Sequence, residues 1–172
     1  MQLRSAIALN ALAIALIASC ATPFSRPSAS ADLQARSGSA VSGTVTFSEQ
    51  DGRLRVEAKV AGLTPGEHGF HVHEAGDCSA PDATSAKGHF NPTAKQHGHH
   101  AGDERHGGDM PNLIANAQGE AVYRAELRGL TLNGATGVVG RSVVIHADPD
   151  DYKSQPAGNS GKRIACGVIA AR

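Results

Sequence analysis

The chain has 172 residues, enough for one domain with a buried core. Aromatic residues make up only 3%, tryptophan is absent and glycine occurs 20 times, which suits short strands joined by tight turns and argues against a helical bundle. Sixteen Lys and Arg balance sixteen Asp and Glu, so no global basic field points to nucleic acid or an acidic membrane, and any electrostatic function must come from local placement of charge.

The N-terminus reads as an export segment. Arg4 precedes an apolar stretch from Ala6 to Ala18, broken only by Asn10 and followed by Ser19-Cys20. The stretch is short for a membrane span and has the layout of a secretory signal. Its ending, Ile17-Ala18-Ser19-Cys20, is similar to a bacterial lipobox. On that reading residues 1–19 are the signal peptide and Cys20 is the lipidated first residue of the mature protein; a plain cleaved signal with an incidental cysteine is the alternative. Residues 20–38 are rich in Ser, Ala and Pro without an apolar period, and are expected to be a flexible tether. The folded domain is then expected over residues 39–172.

Beyond the tether the period is two. Leu54, Val56, Ala58 and Val60 alternate with Arg53, Arg55, Glu57 and Lys59, the pattern of a half-buried strand. Val41, Val45 and Phe47 mark a strand before it, and Asp51-Gly52 between the two is a hairpin signal. Leu63-Thr64-Pro65-Gly66 turns the chain into His68-Gly69-Phe70-His71-Val72-His73. Residues 111–117 and 120–127, separated by Gln118-Gly119, predict another hairpin, with Ala121, Tyr123, Ala125 and Leu127 on one face. Residues 141–147 and 163–171 supply the last strands. No segment carries a 3.6-residue stripe, so the expected architecture is an antiparallel all-β sandwich or flattened barrel.

Two long connections, 74–112 and 147–162, interrupt the strands, and structureless loops of that length are usually functional. All nine histidines lie between positions 68 and 146, and five of them, His89, His97, His99, His100 and His106, are on the first connection, with Asp109 following. In a strand His71 and His73 share a face while Val72 points away. Two same-face imidazoles are either a polar outer face or two ligands for one metal ion; neutral imidazole suits copper, zinc, nickel and iron, and an added carboxylate suits zinc. Three cysteines are an odd count, but with Cys20 lipidated, Cys78 and Cys166 remain 88 positions apart. In an exported chain they read as one long-range disulfide, with two free thiols as the rival.

Taken together, Gly69–Cys78, Gly88–Pro92, Arg105–Asn112, Val144–Asp151 and Gly161–Ala170 resemble the motifs of the exported bacterial copper–zinc superoxide dismutases, in order and over about residues 40–171. The resemblance implies an eight-stranded antiparallel Greek-key β-barrel with two long functional loops. It implies copper ligands at His71, His73, His89 and His146, and zinc ligands at His89, His97, His106 and Asp109, with His89 bridging the two ions. It implies Asp150 as the carboxylate joining a copper histidine to a zinc histidine, Arg163 as the catalytic cation beside copper, and Cys78–Cys166 as a disulfide. One copper and one zinc per subunit and superoxide as substrate follow, with His89 as proton carrier. A membrane contact through lipid at Cys20, periplasmic and at the outer rather than the inner membrane, is the implied setting, and monomer and homodimer are both open. His99 and His100 are read as solvated loop residues, with surface metal capture as the alternative, and His68 as a structural histidine bonded to backbone. The rival function is a copper-storage or copper-delivery protein without turnover.

Overall fold

The computed structural model describes residues 28–172; the export segment and Cys20 lie outside the described residues. Ten strands are formed: β1 (Ser28–Ala35), β2 (Ser42–Gln50), β3 (Arg53–Ala61), β4 (Gly66–His68), β5 (Phe70–His73), β6 (Leu113–Ala115), β7 (Ala121–Leu127), β8 (Ser142–His146), β9 (Arg163–Val168) and β10 (Ala170–Ala171). The only helical element among the described residues is one 3₁₀ turn, Thr84–Ala86. The strands form one antiparallel sheet in the order β5-β8-β9-β1-β2-β3-β7, with β10 paired to β1. The jumps from β3 to β5 and from β7 to β8 are the long connections of a Greek key. A second ladder joins β4 to β6. Because β4 runs directly into β5 and β6 turns directly into β7, this short ladder ties together the two edges of the curled sheet.

The alternation read from the sequence sets which side chains enter the interior. In β3, Leu54, Val56, Ala58 and Val60 are buried and their neighbours exposed. Gln50 pairs with Arg53 across the β2–β3 turn, where Asp51 and Gly52 both have positive φ, 53° and 73°, as a type I′ hairpin requires. Val45, Phe47, Phe70, Val72, Val143 and Ile145 meet these residues in one core.

Two expectations need correction. Residues 28–35 are not a flexible tether: they form β1, which pairs with β2 along Ser28–Leu33 and with β9 at Gln34 and Ala35. Ala29, Ala31 and Leu33 are buried. The strand escaped notice because two of its three inward positions are alanines, too small to stand out among serines as an apolar period. Residues 111–117 and 120–127 do reverse direction at Gln118-Gly119, but they are not ladder partners. β6 pairs with β4, and β7 with β3 through seven registered positions, Leu54↔Leu127 to Val60↔Ala121.

Candidate metal centre

In β5, Phe70 and Val72 point into the core while His71 and His73 point outwards. An exposed face would leave those imidazoles in water, yet both are fully buried, because the long connection 74–112 folds back over them. It is stitched to β5 by backbone hydrogen bonds: Phe90 N donates to Val72 O (2.8 Å), Val72 N to Gly108 O (3.0 Å) and Glu74 N to Gly88 O (2.9 Å). Gly108 lies so close to Val72 O that a Cβ there would collide with the carbonyl. These contacts bring His89 opposite His73 and Asp109 opposite His71. His146 arrives from β8, where a register shift after Ile145 re-aims it and sets it across from Arg163.

Two groups of buried ligand atoms result. His71, His73, His89 and His146 form one; His89, His97, His106 and Asp109 form the other; within each the atoms lie within 4.8 Å of one another. His89 belongs to both. In the first, the Nε2 atoms of His73 and His146 are 3.4 Å apart. Nδ1 of His73 is engaged with Lys87 O (2.9 Å), so Nε2 is the free nitrogen. In the second, Asp109 Oδ1 lies 2.8 Å from His89 Nδ1, 3.1 Å from His97 Nδ1 and 3.3 Å from His106 Nδ1. The other carboxylate oxygen accepts from the backbone N–H of His106 (2.8 Å) and Gly98 (3.2 Å), which fixes the plane of the group.

The remaining ring nitrogens are held from behind. Asp150 accepts from His71 Nε2 through Oδ2 (2.8 Å) and from His97 Nε2 through Oδ1 (2.9 Å), so one carboxylate orients an imidazole in each group. Gly158 (φ +68°) passes over this bridge; a Cβ there would strike Asp150 Oδ1 and lie 2.8 Å from His97 Nε2.

The electrostatics suit cations. Burial, the proximity of His71 and other neighbours push His89 down to about 3, with Asp109 opposing, and burial with neighbouring imidazoles holds His73 and His146 well below the usual histidine range. These rings are therefore neutral at ordinary pH, the form that binds metal. Burial also works against charge on His97, but hydrogen bonds to Asp109 and Asp150 outweigh it and raise that residue to about 9. Burial disfavours the charged carboxylates of Asp109 and Asp150, yet their histidine hydrogen bonds keep both well below the usual range. The fit to metal is direct: buried His71 Nδ1 and His89 Nε2 have no hydrogen-bond partner, a costly state that a cation relieves. An all-imidazole set suits copper, and three imidazoles with one carboxylate suit tetrahedral zinc.

The sequence pattern of the copper/zinc superoxide dismutase (SODC) family matches residues 41–169. The chain belongs to the copper/zinc superoxide dismutase family. A superoxide dismutase [Cu-Zn] of Deinococcus radiodurans is 43% identical over 171 residues, covering 93% of each protein. The crystal structure of the clock protein EA4 superposes with a TM-score of 0.77 at 39% identity, covering 87% of this chain and 98% of that one.

Every ligand position expected from the family resemblance falls in one of the two groups, and Cys78 and Cys166 form a disulfide with Cα atoms 5.7 Å apart. Arg163, three residues before Cys166, is half-buried, and its Nη1 donates to Ala83 O (2.7 Å). Its charge reaches the His73–His146 pair, where it adds to the depression of both rings that burial begins. His99 and His100 stand outside both groups, their rings tilted against each other with centroids 4.1 Å apart, beside Tyr152. His68 is structural, as expected, bonded to His146 O (2.9 Å) and Thr64 O (2.8 Å). Residue-level reading overlooked two supports of this dismutase-family centre. Asn112 binds the backbone of Asp150 on both sides, accepting from Asp150 N (2.9 Å) and donating to Asp150 O (3.1 Å). Gln155 does the same for His97, accepting from its N–H (3.0 Å) and donating to its carbonyl (2.8 Å). Loop amides carry no periodic signal, so only the folded chain reveals them.

Proposed function

We propose that the protein is a superoxide dismutase that converts two superoxide anions and two protons into O2 and hydrogen peroxide. The observation that carries this is His89, which belongs to both buried ligand groups, with Nδ1 against Asp109 (2.8 Å) and Nε2 left without a hydrogen-bond partner. In this reading copper would be held by His71 Nδ1 and by Nε2 of His73, His89 and His146, and zinc by the Nδ1 atoms of His89, His97 and His106 with Asp109 Oδ1. Copper held there would supply reversible one-electron chemistry, whereas zinc, which has no redox chemistry, would act as a clamp.

The remaining work falls to side chains of this chain. Arg163 attracts the anion and holds it against the His73–His146 side of the site, an electrostatic contribution made without reorganisation. His89 carries one proton at Nε2 between the half-reactions and delivers it to the departing peroxide; solvent supplies the other. Asp150 keeps His71 and His97 in the tautomer that leaves each Nδ1 free.

The setting is also proposed. The signal-like residues 1–19, the lipobox-like Cys20 and the Cys78–Cys166 disulfide favour an exported protein anchored by lipid and facing the periplasm.

The test is superoxide dismutation by the metal-loaded protein, with His71→Ala and Arg163→Ala beside it and copper and zinc measured. A kcat/KM approaching the diffusional ceiling of about 10⁸–10⁹ M⁻¹ s⁻¹ is expected. His71→Ala should abolish it, and Arg163→Ala should lower it while leaving metal content intact. Stoichiometric copper with turnover no faster than the uncatalysed reaction would instead mark a storage or delivery protein.

A further inference from the structure

Arg163 makes one side-chain hydrogen bond among the described residues, to Ala83 O, so its orientation is only as well defined as that carbonyl. Ala83 has φ +57°, in the left-handed region that non-glycine residues occupy only when their surroundings hold them there. The residues holding that loop come from an unexpected quarter: the turn that follows β1. Arg36 grips the loop at Cys78, its Nε and Nη2 both donating to Cys78 O at 2.9 and 2.5 Å. Ser37 N donates to Pro81 O (2.8 Å). The same turn also grips the strand that carries the arginine: Ser37 Oγ donates to Arg163 O (2.8 Å), while Arg36 N and Ser39 Oγ both donate to Ile164 O (2.9 and 2.6 Å). Residues 36–39 thus clip together the backbone on which Arg163 is mounted and the loop on which its guanidinium rests.

We propose that Arg36 is a positioning residue for the reaction, fixing the loop Cys78–Ala83 so that Arg163 is aimed at the incoming anion. The disulfide alone does not do this. It fixes two sulfur atoms but not the peptide plane at Cys78; further along, Ser37 N holds Pro81 O (2.8 Å), Ser85 Oγ accepts from Ala80 N (3.1 Å) and Ala83 N donates to Ala80 O (2.9 Å). The two-pronged grip of Arg36 on the Cys78 carbonyl sets that plane, the end of the loop next to the disulfide. A planar fork suits the task better than an ammonium, which can offer its bond from many directions.

The inference rests on the reading of Arg163 as the anion-binding cation. Its test uses the full, metal-loaded protein with Arg36→Gln, Arg36→Lys, Arg163→Ala and the double variant Arg36→Gln/Arg163→Ala. Readouts are kcat/KM, metal content, the visible spectrum of bound copper, and the dissociation constant of azide as a small anionic probe. Arg36→Gln should lower kcat/KM and weaken azide binding in parallel, each by about three- to tenfold, as expected for a misaimed charge in a preorganised site. Metal content and the azide-free spectrum should not change. Arg36→Lys should recover part of the loss. In the Arg163→Ala background, Arg36→Gln should have no further effect, because the two act through one group. Unchanged kcat/KM and azide affinity in Arg36→Gln, with the normal loss in Arg163→Ala, would overturn the positioning role alone. So would an equal loss in the Arg163→Ala background, or a loss that vanishes as salt is raised to about 1 M, which would make Arg36 a steering charge. No loss in Arg163→Ala would overturn the reading of Arg163 together with the inference built on it. Should Arg36→Gln not fold, the comparison of Arg36→Lys with wild type carries the same decision through azide affinity.

Discussion

Asp150 is buried, touches neither free ring nitrogen of the two groups, and yet determines which nitrogen of His71 and of His97 is free. Replacing it by asparagine keeps its volume but removes the negative charge and offers an N–H where one imidazole now donates. Asp150→Asn is expected to weaken zinc and copper binding by about 10- to 100-fold, the usual cost of losing such an outer contact. Competition against a chromophoric chelator measures it, and unchanged affinities would mean the tautomers are set elsewhere. At this scale the sequence was informative where chemistry is rare and uninformative where it is common. Buried histidines at 71, 73, 89 and 146 announce themselves because imidazole is a poor core residue. Asn112 and Gln155 clamp the backbone of the centre just as firmly, but an asparagine or glutamine in a loop looks the same whether it faces water or grips a neighbour.

Among the elements, the β2–β3 hairpin and β7 were the most readable, since alternation, turn chemistry and partner all agree there. Their outer face carries Glu126 on β7 between Arg53 (2.9 Å) and Arg55 (3.2 Å) on β3. The Arg53 hydrogen bond, against a small desolvation penalty and with help from Arg55, lowers the Glu126 carboxyl below its ordinary 4.5. The unfolded chain therefore binds this proton first on acidification. The contribution of the pair is present above pH 4.5 and disappears as pH falls through the folded value. Wild type should melt slightly above Glu126→Gln near neutral pH, and the gap should close below pH 4.5 and in high salt. A gap that stays constant with pH would rule the ion pair out as its source. The long connections were recognised as functional from length and histidine content, but their stitching to β5 was not, because backbone hydrogen bonds through Gly88, Phe90 and Gly108 leave no trace in side-chain pattern. The Cys78–Cys166 bond closes an 88-residue span, for which the loop-entropy model assigns about 4–5 kcal/mol.

For the whole molecule, the consequential strand is the one that composition concealed. β1 pairs with β2 on one side and with β9 on the other, so it joins the hairpin half of the barrel to the half that carries His71, His146 and Arg163. A chain beginning at residue 28 should fold and bind metal as the full protein does. One beginning at residue 39 would lose β1, expose Val45 and Phe47, and forfeit the Arg36–Ser39 clip. Thermal unfolding followed by far-ultraviolet circular dichroism should show a cooperative transition in the first and none in the second; a cooperative, metal-binding chain from residue 39 would contradict the architecture described here. Under the proposed function, with no net formal charge to gather an anion from a distance, attraction of superoxide would fall to the local cation Arg163.

β10 lies against the start of β1, with Ala29 opposite Ala171 and Arg172 N donating to Ser28 O at 2.8 Å. The barrel's two ends are therefore next-door neighbours, and its topology is close to that of a closed ring. A short peptide linking residue 172 to residue 28 would leave every ladder in place, and the ring could then be reopened at an exposed turn such as residues 133–135, which contributes no residue to either metal group. In such a circular permutant the order of the elements would change while the neighbours of each histidine would not.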